Sequence, residues 1–144
     1  MRPARPARRW GTFPTTADVG IWATGPTAAA LLEGLGLALY GLLADPRQVR
    51  PTDERTVRAD GKDAAELAVA FLTALLVLQE TDGFLGRRIT ARTHGRPPTS
   101  VTARLRGEPF DPRRHVARTE VKAVTYHDLL FDPRAGRARV IVDL

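Results

Sequence analysis

The side chains in this 144-residue sequence with the best claim to chemistry lie near its two ends. Asp18 follows Thr15-Thr16-Ala17 at the start of a strand-like run. Asp143 stands near the end of the last such run, followed by Leu144. If strand pairing brings these ends together, two side-chain carboxylates and the terminal carboxylate would repel one another unless a cation neutralised them. Ca²⁺, Mg²⁺ or Mn²⁺ accepts such an oxygen set. The plain alternative is a set of solvated acids at separate strand ends. Lys122 is one of two lysines, with Lys62, in a chain otherwise rich in arginine. Its compact ammonium could meet a phosphate or a carboxylate, or it could simply guard a sheet edge against aggregation. His127 and Asp128 could form an acid–base pair, but neighbours on a regular strand point to opposite faces. His115 follows Arg113-Arg114 in a loop and reads as structural.

Composition removes several chemistries. Without cysteine there is no disulfide, no thiolate metal site and no cysteine nucleophile. With three histidines, a metal would rest mainly on oxygen ligands. No phosphate-binding glycine loop, dinucleotide fingerprint, nucleophile elbow or zinc pattern is present. The net charge of +6 favours encounters with RNA or an acidic partner. The arginines of 87–118 have few aromatic residues among them, so they suggest electrostatic attraction rather than a base-stacking platform. The apolar run LAVAFLTALLVL (67–78) is too short to span a bilayer. The basic start MRPARPARRWG lacks the apolar stretch of a secretion signal. These features lead us to expect a cytoplasmic protein with a disordered basic arm over 1–12 and a single domain over 13–144.

The elements that must position these residues follow from periodicity. Residues 17–25 alternate as a strand, broken by Gly25-Pro26. Residues 27–45 carry an apolar helical stripe through Leu31, Leu35, Leu39 and Leu42. Gly34, Gly36 and Gly41 weaken that helix, so packing must hold it, and close contact with a sheet or another helix is their expected use. A strand is expected over 54–60. A helix over 63–79 opens on the capping-box pair Asp63 and Glu66. Strands follow over 84–92, 100–107, 120–131 and 138–144, with a proline-punctuated loop GEPFDPRRHV and a turn DPRAG between the last two. Two helices and about six strands, without βαβ regularity, predict an α+β domain: a mostly antiparallel sheet with two helices packed on one face.

Taken in order, TADVGIWATG, LAVAFLTALLVL, GEPFDPRRH, TEVKAVTYHDL and VIVDL resemble the archease family from about Thr15 to Leu144. The resemblance implies an α+β fold and an accessory protein, not itself an enzyme. Its partner would be an RtcB-type RNA ligase in tRNA splicing or RNA repair. It would promote transfer of GMP to the ligase and allow repeated turnover. The resemblance also implies a divalent metal, Ca²⁺ first and Mg²⁺ or Mn²⁺ as alternatives, held by Asp18, Asp143 and Leu144. Lys122 and His127 would serve ligase activation, with tRNA or other RNA reached through the ligase. The sequence departs from the family pattern where Thr16 replaces a histidine before the Ala-Asp pair, at Thr73-Ala74 within the second helix, and at Gln79-Glu80 after its core. A stand-alone basic RNA-binding module is the alternative, and a metal-dependent hydrolase built on Asp18 and Asp143 is a third reading.

Overall fold

Alternating apolar and polar residues make the first sheet. A computed structural model describes residues 9–144. Strand β1 (Trp10–Pro14) pairs antiparallel with β2 (Val19–Thr24). The arm expected over 1–12 lies outside the described residues up to Arg8, and Trp10 to Thr12 belong to β1. Basic composition and Pro14 hid this strand. An edge position tolerates both. Helix α1 (Ala28–Leu43) follows, capped by Thr27, whose hydroxyl accepts from the Ala30 N–H at 3.1 Å. Strand β3 (Asp53–Asp60) leads to α2 (Ala64–Asp82), capped by Asp63, which accepts from the Glu66 N–H at 2.8 Å. Gly83, at φ +67°, ends α2 in the left-handed conformation that favours glycine. Then come β4 (Phe84–His94), β5 (Ser100–Pro109), β6 (Ala123–Val124), β7 (Leu130–Asp132) and β8 (Arg137–Asp143).

The α+β class, the two helices and the antiparallel pairing agree with expectation, while among the described residues the strands number eight and divide into two sheets. One is five-stranded in the order β1-β2-β8-β6, with β7 also on β8; the other is β3-β5-β4. The expected strand over 120–131 is cut into β6 and β7 by a turn in which Asp128 has φ +49°. Its expected hairpin with 138–144 forms through both pieces. Apolar faces of the two sheets and both helices share one core. It includes Ile21, Leu35, Leu72, Leu105 and Val140, all fully buried. A Cβ on Gly34 would stand 2.8 Å from that of Ala23, and one on Gly36 would stand 2.6 Å from Ile89 Cδ1. Both glycines therefore admit neighbouring strands closely. Gly41 has no such neighbour. On β4, an edge strand, the Ala91 N–H donates to Glu33 of α1 at 2.8 Å, which satisfies an otherwise free edge group.

Helix α2 is long and apolar enough, by length and composition alone, to cross a membrane. Here that apolar surface serves the domain. Leu67, Ala68, Phe71, Leu72 and Leu75 are fully buried in the shared core.

Candidate functional site

Strand β8 is central in the five-stranded sheet, and its C-terminal end collects the residues of interest. Its antiparallel register with β2 ends at Val19 opposite Val142. One further step in that register puts Asp18 across from Asp143. On the other side of β8, Ala123 of β6 pairs with Asp143, and the Lys122 N–H donates to the Asp143 carbonyl at 2.8 Å. The same register sets Lys122 beside Leu144. One corner of the sheet thus brings together the backbones of Asp18, Asp143, Leu144 and Lys122 at the ends of three adjacent strands, with Asp18 and Asp143 on one face and Lys122 and Leu144 on the other. Asp18 is half-buried, and its N–H donates to Thr15 Oγ1 at 3.0 Å, which fixes the turn into β2. Asp143 and Lys122 are exposed. Lys122 immediately precedes β6, an edge strand, where a lysine also discourages edge-to-edge pairing.

His127 is not brought to that corner. Past Lys122 the chain runs back along β8, with Thr125 bonded to Ile141 and Leu130 paired with Arg139. His127 stands in the intervening turn, exposed, with Nε2 at 3.3 Å from Asp128 Oδ2. A regular strand would have kept those two side chains apart. The positive φ of Asp128 brings them together. The pair is open to water and adds little stability.

The segment leading to Lys122 is held from both ends. Ala117 bridges to Ala44, and the Arg118 and Thr119 N–H groups donate to the Leu43 and Leu42 carbonyls, each at 3.0 Å. Arg118 reaches Asp45 at 3.4 Å. Hydrogen bonds from Arg47, aided by the charges of Arg47 and Arg118, hold the Asp45 carboxyl down at about 2. Upstream, a cluster that sequence reasoning missed fixes the proline-rich loop. Glu108 accepts from Arg114 Nη1 at 2.7 Å and Nη2 at 2.6 Å, and from the Arg50 N–H at 2.6 Å. His115 has a fully buried side chain. Its Nδ1 accepts from the Asp111 N–H at 2.8 Å, so its Nε2–H is left to donate to Glu108 at 3.1 Å. Burial alone would raise the Glu108 carboxyl. The Arg50 N–H, His115 and Arg114 outweigh that and hold it below its ordinary value. The signal was present in GEPFDPRRH, where a glutamate precedes an Arg-His pair by six and seven residues. Between this loop, the end of α2 and the 117–122 segment lies an open groove of about 740 Å³, lined by Glu80, Phe110, Glu120 and Lys122 among others.

The corner has the donor chemistry of a hard-cation site, since all its candidate ligands are oxygens. Among the described residues, no three His, Cys, Asp or Glu side chains gather closely enough to hold a metal ion. Asp18 and Asp143 are the two side-chain carboxylates at the corner, fewer than a closed cage of acidic ligands would use.

Comparison with known proteins agrees with this architecture. A family model described as the Archease protein family matches residues 10–144. "Protein archease" of Methanopyrus kandleri is 35% identical over 138 residues, covering 94% of this chain and 99% of its own. "Protein archease" of Thermococcus gammatolerans is 33% identical over 126 residues, covering 87% of this chain and 89% of its own. The solution structure of Methanobacterium thermoautotrophicum protein 1598 superposes with a TM-score of 0.80 at 30% identity, covering 95% of this chain and 99% of that one. On sequence, fold and length together, this chain belongs to the archease family.

Proposed function

We propose that this protein is a non-catalytic accessory factor of an RtcB-type RNA ligase, acting in tRNA splicing or RNA repair. In this reading it promotes guanylylation of the ligase and restores it for further rounds. The observation that carries the reading is the convergence of Asp18, Asp143 and Leu144 with Lys122 at one sheet corner. The first three would hold a divalent cation, Ca²⁺ before Mg²⁺ or Mn²⁺. When bound, that ion would supply positive charge to phosphate oxygens in the ligase's active site. Lys122 would orient a phosphate or balance the carboxylates. An open set of ligands suits this role, because a site at the end of the sheet can complete its coordination on the partner. The groove beside Lys122 would receive a part of the ligase surface. His127, away from the corner and exposed, would contact the ligase separately.

Thr16 and Thr73-Ala74 lie outside the corner's inferred ligands, so the metal part of the reading does not depend on them, whereas Gln79 and Glu80 line the groove beside Lys122. The test is ligation with RNA in excess over the cognate ligase, with and without this protein. The protein should convert roughly single-turnover joining into sustained turnover. Asp18→Ala and Lys122→Ala should abolish that gain while remaining folded. A gain that survives Asp18→Ala would remove the carboxylate corner from the mechanism.

A further inference from the structure

The solvent face of the three-stranded sheet carries charge that the corner does not use. Paired residues in an antiparallel ladder share a face, so the register spells that face out row by row. Glu54, Arg106 and Arg88 form one row; Thr56, Arg104 and Thr90 the next; Arg58, Thr102 and Arg92 the third. The opposite face is core, with Val57, Val101, Ala103, Leu105 and Ile89 buried. All five arginines are exposed. Glu54 is the one carboxylate in these three rows, at 3.7 Å from Arg104 and 3.5 Å from Arg106. Such open pairs are weak and easily exchanged for another anion. Arg58, Arg88 and Arg92 make no salt bridge among the described residues.

We infer that this face binds single-stranded RNA through its phosphate backbone. Rows along a strand repeat at about 6.6–6.8 Å and neighbouring strands at about 4.8 Å. The arginines therefore form a lattice of cations, which suits a periodic polyanion better than the scattered carboxylates of a protein surface. The guanidinium fork matches phosphate oxygens. Thr56, Thr90 and Thr102 stand among the arginines, where their hydroxyls can bond a ribose 2′-OH. No aromatic side chain lies in the three rows, so bases are not stacked and recognition tolerates sequence. The face belongs to a different sheet from the carboxylate corner. The inference is independent of the ligase reading and is tested with the protein alone.

The experiment is fluorescence anisotropy of a labelled single-stranded oligouridylate with the full chain, over a salt series. Five engaged arginines give a log–log salt slope of about −3.5, so raising salt from about 50 to about 200 mM weakens binding about 100-fold. The Arg104→Gln/Arg106→Gln variant should bind more weakly, with a slope near −2 and a loss of about 20-fold over the same range. Glu54→Gln should bind more tightly than the parent. Arg113→Gln/Arg134→Gln has the same change in net charge at exposed sites elsewhere and should change little. If that control loses as much as the sheet variant, only net charge is at work and the face is not a site. If poly-glutamate displaces the RNA at equal charge concentration, the partner is an acidic protein and the RNA assignment falls. Equal binding of oligodeoxyuridylate also overturns the assignment to RNA.

Discussion

Replacing Glu108 by alanine tests whether the partly buried cluster upstream of the Lys122 segment holds the loop in place. The Glu108 side chain is 12% exposed, that of Arg114 28% and that of His115 0%. Alanine leaves the Arg114 guanidinium, the His115 Nε2–H and the Arg50 N–H without their acceptor. Removing one partner of a buried pair costs about 3–5 kcal/mol, and the partial exposure of Arg114 lowers that to about 2–4. For a chain of this length the melting midpoint should fall by about 5–15 °C. Urea unfolding at neutral pH measures the loss directly, and the double variant with Arg114→Ala isolates the coupling. The pH dependence has a definite sign. Glu108 is held below its ordinary value of 4.5, so its contribution is complete above that pH and disappears as pH falls through the folded value. The gap between parent and variant should narrow on acidification below the ordinary value. A loss under about 1 kcal/mol at neutral pH, the size of an exposed pair, or a gap that ignores pH, would refute the reasoning.

Tyr40 offers a change in the other direction. Its ring is buried and its hydroxyl has no hydrogen-bond partner among the described residues, so Tyr40→Phe should stabilise the fold by about 1 kcal/mol in urea unfolding. Destabilisation of that size would reveal a partner for the hydroxyl. Gly107 lies against β4 so closely that a Cβ would stand 1.8 Å from the Leu85 carbonyl oxygen. Backbone cannot move aside cheaply, so Gly107→Ala should cost about 3 kcal/mol, and an unchanged melting midpoint would show that the strands separate freely. Calcium added to the purified protein should raise its melting midpoint, and Asp18→Asn/Asp143→Asn should remove that rise. An equal rise in the variant would locate the ion elsewhere.

Both helices and most strands were legible because their periods are clean. The Asp63 cap, the stripe from Leu67 to Leu75 and the alternation in β2, β5 and β8 each point to a single local structure. Strand β1 was not legible, because Trp10–Pro14 is short, partly exposed and joined to a basic run. The break at Asp128 was invisible because a left-handed aspartate leaves little mark on an apolar–polar pattern. The split into two sheets depends on register, which local alternation does not encode. In the corner, the type and order of Asp18, Lys122 and Asp143 were readable, but their adjacency comes from β2 and β6 flanking β8. The Glu108–Arg114–His115 cluster was missed because the Glu and Arg-His spacing in GEPFDPRRH does not by itself tell a buried, paired loop histidine from a solvated one.

Multiple-turnover ligation tests the central claim most directly. The cognate RtcB-type ligase, with RNA in excess, is assayed with parent protein, Asp18→Ala and Lys122→Ala, after each variant's fold is checked by its melting curve. The account predicts sustained joining with the parent and loss of that gain with both folded variants. An active ligase that turns over equally well with the parent, either variant or no added protein would contradict it.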